Sequence, residues 1–178
     1  MSEVVSALKG AKYEGFCTVE EAGLVGMITL RGDLASPGLA AAVKAATGAE
    51  MPGTCGIVSG DKGKVAWMSP DELLLMVDHG AAPQIVADLS AALSGEHATV
   101  VNVSDARAVF HIAGKGAREV VAKLSPADLA ALEPGTLRRS RLAQVPAAFH
   151  MDDEGMIELV TRRPLGLRVV SSGFTILG

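Results

Sequence analysis

Apolar and polar residues alternate along the chain with two periods, which indicate short β-strands and amphipathic helices in turn. A helix is predicted over 37–46, because Ser36 can cap its first turn, Pro37 suits the first helical position and Gly48 can end it. Residues 1–13 show no clear period and are expected to form a loose lead-in. The remaining predictions are strands at 16–19, 26–31, 57–58, 65–68, 73–77, 99–103, 109–113, 142–149 and 156–160, and helices at 83–93 and 117–124.

Part of this pattern occurs twice. The strand that ends at Gly32 and the helix after it match the strand that ends at Gly114 and its helix, and the run 65–77 matches 148–160. Both matches are offset by roughly 80 residues, as a duplicated structural unit requires. The sequence therefore predicts an α+β fold in which a strand–helix–strands–helix unit is used twice, with antiparallel or mixed sheets and a pseudo-twofold axis.

The duplication also predicts how the chain is divided. We expect a single domain over 1–178, made of two repeats at about 16–95 and 98–163 and followed by an atypical tail. In the alignment of the repeats, Gly32 corresponds to Gly114, Val77 to Val160, and Trp67 to His150.

The composition is that of a globular domain with a sizeable core. Of the 178 residues, 49% are apolar but 3% are aromatic, so we expect a core of Val, Leu, Ile, Met and Ala with few large side chains. The net charge of −4 argues against nucleic acid and anionic membranes as main partners. The basic cluster of Arg138, Arg139 and Arg141 is too short to change this expectation.

The sequence further predicts a cytoplasmic location. Residues 1–5 lack the basic start and apolar run of a signal peptide. No stretch approaches the roughly 20 uninterrupted apolar residues of a membrane-spanning helix. Cys17 and Cys55 lie alone in different segments, which favours two reduced thiols over a disulfide scaffold or a metal site.

The histidines do not form a recognisable catalytic or metal-binding motif. His79, His97, His111 and His150 are not spaced like a metal pair. His111 lies in an alternating strand and is expected to be structural, His150 is expected to pack, and the other two are expected to be solvated. No catalytic residue and no metal site is predicted in this chain, and no cofactor-binding residue is assigned.

Two glycine-rich loops and two acidic clusters are better explained as turns. Residues 60–64 (Gly-Asp-Lys-Gly-Lys) join two predicted strands without the spacing of a phosphate loop, which favours a hairpin turn. Residues 114–118 (Gly-Lys-Gly-Ala-Arg) lead into a helix N-terminus, where an anion could bind, but a tight structural turn is favoured. The acidic residues at 71–72 and 152–154 are expected to be solvated turn residues.

Five segments carry a resemblance to a known family. They are 27–33 (Met-Ile-Thr-Leu-Arg-Gly-Asp) with its helix, 51–52 (Met-Pro), 67–74 (Trp-Met-Ser-Pro-Asp-Glu-Leu-Leu), 103–107 (Val-Ser-Asp-Ala-Arg) and 137–146 (Leu-Arg-Arg-Ser-Arg-Leu-Ala-Gln-Val-Pro). In this order they resemble the gamma subunit family of heterotetrameric sarcosine oxidase, over about residues 16–163. In the third segment Ser69 and Leu73 replace a Gly and a Trp of the family's usual form.

The resemblance implies a gamma subunit that is not catalytic alone and works with alpha, beta and delta subunits in an oxidoreductase complex. Such enzymes demethylate sarcosine oxidatively to glycine and produce hydrogen peroxide and, with tetrahydrofolate, methylene-tetrahydrofolate. The resemblance places FAD, FMN, NAD and tetrahydrofolate in the larger partner subunits, zinc in the delta subunit, and no cofactor in this chain. It also implies a fold like the folate-binding domain of aminomethyltransferases.

Two other functions stay open at this stage. One is a free-standing folate-binding protein of the aminomethyltransferase superfamily. Against it, the chain is short for the further C-terminal domain of those proteins, and neither cysteine lies in the Lys-Gly-Cys-Tyr-type motif of their iron–sulfur-maturation members. The other is an unrelated small-ligand-binding domain that acts alone. An isolated gamma subunit is also expected to cover apolar interface in a homo-oligomer.

The tail at 164–178 departs from the pattern of the first repeat, which continues with a helix after its last strand. Residues 164–173 contain one proline, two glycines and no helical period. Two explanations remain open. Either the tail forms a short strand through Val169 and Val170, or a single-base frameshift in the gene has replaced the family's final helix.

Overall fold

The computed structural model describes residues 5–163, which fall into two compact units. One unit is continuous, Val25–Asp105, and is called the inserted unit. The flanking unit combines the described residues up to Leu24 with those from Ala106 onward. The tail at 164–178, with its two explanations, lies outside the described residues. No helix within 5–163 is both long and apolar enough to cross a membrane.

The described residues form eleven strands, three α-helices and one 3₁₀ turn at Ser104–Ala106. The strands are β1 (Lys12–Glu14), β2 (Thr18–Glu21), β3 (Val25–Arg31), β4 (Ile57–Ser59), β5 (Gly63–Ser69), β6 (Glu72–Asp78), β7 (Thr99–Asn102), β8 (Arg107–Ala113), β9 (Leu137–Leu142), β10 (Val145–Met151) and β11 (Ile157–Arg162). The helices are α1 (Pro37–Thr47), α2 (Ala82–Ala92) and α3 (Ala117–Leu124).

The inserted unit is a five-stranded antiparallel sheet with two helices. Its strand order is β4–β5–β6–β3–β7. The central strand β6 is a continuous apolar run after Glu72, because residues on both of its faces are buried. Helices α1 and α2 pack on one face of the sheet, over a core that includes Ile28, Leu30, Leu39, Leu73 and Leu89.

Helix α1 begins and ends as the sequence predicts. The Ser36 hydroxyl accepts hydrogen bonds from the backbone N–H groups of Gly38 and Leu39. Gly48 ends the helix with a φ of 72°, which a residue without a side chain adopts at little cost, and its N–H donates to the Lys44 carbonyl. The positions of α2 and α3 confirm the other two predicted helices.

The flanking unit is a six-stranded antiparallel sheet in the order β1–β2–β8–β11–β10–β9, with α3 packed against it. Its core includes Phe110, Val121, Leu132, Phe149 and Leu159, each 0% exposed. Both sheets are antiparallel, so the predicted α+β class is confirmed.

The two sheets share one topology, which confirms the predicted duplication. In each unit an interior strand, β3 or β8, is followed by a helix and then by three strands, the last of which pairs with that interior strand. Both β3 and β8 have a second neighbour that the sequence assigned to the other repeat. β2 pairs with β8, and β7 pairs with β3. The chain therefore passes from the flanking unit to the inserted unit after Leu24 and returns to the flanking unit after Asp105.

The register of the repeated hairpin differs by one residue from the sequence alignment. Leu30 pairs with Leu73 in the inserted unit, and Ile112 pairs with Ile157 at the equivalent place in the flanking unit. A one-residue slip exchanges the two faces of a strand. Because both faces of β6 are apolar, the slipped alignment still matched apolar residues with apolar residues, and the error was not visible in the sequence. The counterparts of Val77 and Trp67 are Thr161 and Met151, and not Val160 and His150.

One predicted strand is two strands in the structure. The prediction at 142–149 covers the end of β9 and most of β10, which are joined by a turn at Ala143 and Gln144. Both turn residues have positive φ angles, 47° and 71°, which hairpins usually provide with Asn or Gly. The sequence therefore lacked the ordinary turn signal. The lead-in expected at 1–13 likewise contains part of β1, which pairs with β2.

Candidate functional site

A carboxylate bridges two histidines on the flanking sheet. Cross-strand pairing places Glu158 of β11 between His111 of β8 and His150 of β10. Nε2 of His111 lies 3.1 Å from Oε2 of Glu158, and Nε2 of His150 lies 2.9 Å from Oε1. Each imidazole can therefore donate an N–H to one carboxylate oxygen. These three residues are called the His–Glu–His cluster.

The His–Glu–His cluster is largely removed from solvent. The side chains of His150 and Glu158 are 8% and 9% exposed, and that of His111 is 35% exposed. Their neighbours Phe110 and Leu159 belong to the hydrophobic core, so strand alternation puts the cluster on the opposite face of the sheet. Because an unpaired buried carboxylate is strongly unfavourable, the two imidazoles stabilise Glu158 where it is.

The arrangement suits a structural brace across three strands. The position of His111 agrees with the structural role expected from its strand. His150 is buried as expected, but its partner is a carboxylate and not an apolar core. Both Nε2 atoms face Glu158, and the described residues contain no group of three or more His, Cys, Asp and Glu side chains that could hold a metal ion.

The loop at 60–64 is the hairpin turn that the sequence predicts. The N–H of Gly60 donates to the Gly63 carbonyl at 2.8 Å, and that of Lys62 donates to the Thr47 carbonyl at 3.1 Å. These N–H groups are therefore not turned toward a ligand, as those of a phosphate loop are. Packing explains the glycine at position 60, since a β-carbon there would lie 2.3 Å from the backbone N of Ala49 and 2.3 Å from the Thr47 carbonyl oxygen.

We expect Gly60→Ala to lower the free energy of unfolding by about 1–3 kcal/mol, because the new methyl group must displace backbone atoms. Urea unfolding followed by circular dichroism measures the loss. Gly53→Ala is the matched control, since a β-carbon at Gly53 meets no atom within 4 Å. We expect the control to change the free energy by at most about 0.5 kcal/mol. Equal losses in the two variants would contradict this explanation of Gly60.

The segment at 114–118 is a tight structural turn, as the sequence predicts. Gly114 has a φ of 106°, and its carbonyl accepts the N–H of Ala117 at 3.0 Å. The ring of Phe16 lies directly over Gly116, where a β-carbon would come within 2.2 Å of it. The Arg118 guanidinium donates to backbone carbonyls of the segment after α3, at 2.8 Å for one of them. The turn and its arginine are thus used to hold the fold.

The acidic pair at the first hairpin turn is not uniformly solvated. Asp71 is exposed and accepts a hydrogen bond from the Ser69 hydroxyl at 2.6 Å, which lowers the pKa of its carboxyl group. The prediction is wrong for Glu72, which is buried and lies 2.7 Å from the Arg31 guanidinium. Glu72 is the first residue of β6 and pairs across the sheet with Arg31, so it belongs to the strand. The residues 152–154 do occupy a largely exposed turn.

Both cysteines are free thiols, as the sequence predicts. Cys17 is buried, and burial raises the pKa of its thiol, which disfavours the reactive thiolate. Cys55 is half-buried.

Comparison with known proteins connects this sequence and fold with one family. The family model for "Sarcosine oxidase, gamma subunit family" matches residues 31–169. Sarcosine oxidase subunit gamma from Corynebacterium sp. (strain U-96) is 33% identical over 167 residues, which are 90% of this chain and 80% of that subunit. The match thus extends over most of both chains.

Solved structures agree with the sequence match. A chain of the heterotetrameric sarcosine oxidase from Corynebacterium sp. U-96, in complex with pyrrole 2-carboxylate, has a TM-score of 0.81 at 26% identity, over 93% of this chain and 87% of that chain. Aminomethyltransferase T of the glycine cleavage system from Bartonella henselae has a TM-score of 0.64 at 12% identity, over 86% of this chain and 44% of that chain. The second likeness concerns the fold alone and confirms the predicted aminomethyltransferase-like fold. The family model covers most of the chain, and the chain belongs to the sarcosine oxidase gamma subunit family.

Proposed function

We propose that this chain is the gamma subunit of a heterotetrameric sarcosine oxidase. The main support is the likeness to a chain of such an enzyme, with a TM-score of 0.81 over 93% of the residues. The likeness extends over 93% of this chain and 87% of that chain, which is expected of two proteins that occupy the same place in an assembly.

In this proposal the chain supports the reaction without carrying it out. The complex oxidatively demethylates sarcosine to glycine and produces hydrogen peroxide and, with tetrahydrofolate, methylene-tetrahydrofolate. FAD, FMN, NAD, tetrahydrofolate and zinc are bound by the alpha, beta and delta subunits. In this proposal His111 and His150 have a structural use, since both bind the buried Glu158.

The proposal is tested by expressing the alpha, beta and delta subunits of the same organism with and without this chain. We expect all four chains to purify together in equal amounts, with sarcosine-dependent release of hydrogen peroxide. We expect the three-subunit preparation to be less stable or less active, and this chain alone to be colourless and inactive. Failure of the chain to purify with the other subunits would refute the proposal.

The fold shared with an aminomethyltransferase supports one further arm of this experiment. The isolated chain is dialysed against radiolabelled tetrahydrofolate. We expect no stoichiometric binding if folate is held by a partner subunit. Stoichiometric binding by a chain that does not assemble would favour the free-standing folate-binding protein instead.

A further inference from the structure

A buried glutamate of the flanking unit is bound by the residues that precede β1. Glu21 is the last residue of β2 and is 4% exposed. Its carboxylate accepts hydrogen bonds from the Ser6 hydroxyl at 2.8 Å, from the Leu8 N–H at 3.0 Å and from the Gly10 N–H at 2.8 Å. Residues 5–10 are called the N-terminal segment.

The strand register puts the Glu21 side chain on the core face of the sheet. Glu21 pairs with Phe110 of β8 and lies two residues after Val19, and both of these are core residues. A carboxylate at such a position is strongly unfavourable unless hydrogen bonds satisfy it. In the part of the chain that the structure describes, all three hydrogen bonds to this carboxylate come from the N-terminal segment. The buried charge and the segment therefore depend on each other.

The other contacts of the N-terminal segment are weak. Its backbone belongs to neither a helix nor a strand. Ala7 and Leu8 pack against the core of the flanking unit but are only partly buried. The Arg163 guanidinium donates to the Val5 carbonyl in an exposed contact, which water can replace. The segment is therefore held in place mainly by Glu21.

The N-terminal segment bends around the carboxylate. Lys9 and Gly10 have φ angles of 56° and 72°, in the left-handed region that a lysine adopts only where its surroundings favour it. The N–H groups of Leu8 and Gly10 thereby reach the two different oxygens of the carboxylate. Backbone N–H groups that converge in this way form an anion-binding concavity. The anion bound here is a side chain of the same chain.

We infer that the N-terminal segment is a latch on the flanking unit, which opens and closes as a whole while the sheet stays folded. The three hydrogen bonds end on one carboxylate, so they are formed and lost together. Opening hydrates Glu21 and uncovers the core beside Leu8, whereas β1 remains paired with β2. The latch is independent of the proposed function, because every contact in it lies within this chain.

Amide hydrogen exchange of the isotopically labelled full-length chain, followed by NMR, measures the opening. Glu21→Gln keeps the shape of the side chain but replaces one acceptor oxygen with a donor. Ser6→Ala removes one of the hydrogen bonds and leaves the carboxylate in place. Glu20→Gln is the matched control, because Glu20 is the exposed neighbour of Glu21 on β2 and the change in net charge is the same.

In the wild type we expect the amides of Leu8 and Gly10 to exchange at least roughly tenfold faster than those of β8 and β11, since local opening costs less than unfolding of the sheet. Glu21→Gln is expected to accelerate both amides at least roughly tenfold further, with changes below roughly threefold in β8 and β11. The Glu20→Gln control is expected to change every rate by less than roughly threefold. Ser6→Ala is expected to accelerate the amides of Leu8 and Gly10 by one common factor, although Ser6 bonds to neither.

Three results would overturn the latch. The first is unchanged exchange of the Leu8 and Gly10 amides in folded Glu21→Gln. The second is an equal acceleration in β8 and β11, which would make the N-terminal segment part of the global fold. The third is a different factor for each of the two amides in Ser6→Ala, which would show that the bonds break separately. If Glu21→Gln does not fold, Ser6→Ala is judged by the second and third results.

Discussion

Replacement of Phe149 by alanine is expected to lower the free energy of unfolding by about 3–5 kcal/mol. Phe149 is 0% exposed and lies in the core of the flanking unit, where it pairs with Leu159 across the sheet. The chain contains four Phe, one Trp and one Tyr, so few other side chains bury a comparable apolar area. The variant loses that area and leaves a cavity. Urea unfolding followed by circular dichroism measures the change.

Two controls separate the cavity from the mere loss of an aromatic ring. Phe149→Leu fills most of the space and is expected to cost less than about 1.5 kcal/mol. Phe16→Ala removes a ring that is 57% exposed in the same unit and is expected to cost less than about 1 kcal/mol. A loss for Phe149→Ala no larger than that for Phe16→Ala would contradict the central place of Phe149 in this core.

Replacement of Glu158 by alanine is expected to lower the free energy of unfolding by about 2–4 kcal/mol. The change removes the acceptor of both imidazoles in the His–Glu–His cluster and leaves His150, 8% exposed, with a buried N–H that has lost its partner. The estimate is below the usual cost of breaking a buried ion pair, because His111 is 35% exposed and can bond to water. Urea unfolding followed by circular dichroism measures this loss in the free energy of unfolding as well.

Matched variants define what the carboxylate contributes. Glu158→Gln keeps one carbonyl acceptor for the first imidazole and adds an N–H group that the second imidazole can accept after a change of tautomer. We therefore expect this variant to lower the free energy of unfolding by about 1–2 kcal/mol. Glu154→Ala, at an exposed turn on the same hairpin, is expected to stay within about 0.5 kcal/mol of the wild type. If Glu158→Ala were as stable as Glu154→Ala, the cluster would not brace the sheet.

Local signals predicted much of the fold. Ser36, Pro37 and Gly48 located α1 because capping depends on neighbouring residues alone. The turn at Ala143 and Gln144 was missed because its positive φ angles are imposed by strand pairing and not by residues that prefer them. The exchange of β2 and β7 between the repeats was also unpredictable, since partner choice among strands has no local signature.

The His–Glu–His cluster could be recognised only from the register of the strands together with the sequence. His111 and His150 were recognised as separate structural residues, but nothing in the sequence indicated that Glu158 lies between them. Glu158 lies opposite His111 because β11 pairs with β8 in one particular register, which a one-residue slip would have destroyed.

The nested order of the two units has a consequence for synthesis on the ribosome. The inserted unit ends at Asp105 and is complete before β8 emerges, although the strands β1 and β2 emerge first. The partner of Glu20 in β2 is His111 in β8, roughly 90 residues later, and at about 5–20 residues per second β2 waits about 5–18 s for this neighbour, with β1 as its one available strand partner. The flanking unit therefore finishes folding after the inserted unit, although its strands β1 and β2 are synthesised first. Chaperone protection during translation matters most for the segment that precedes Val25.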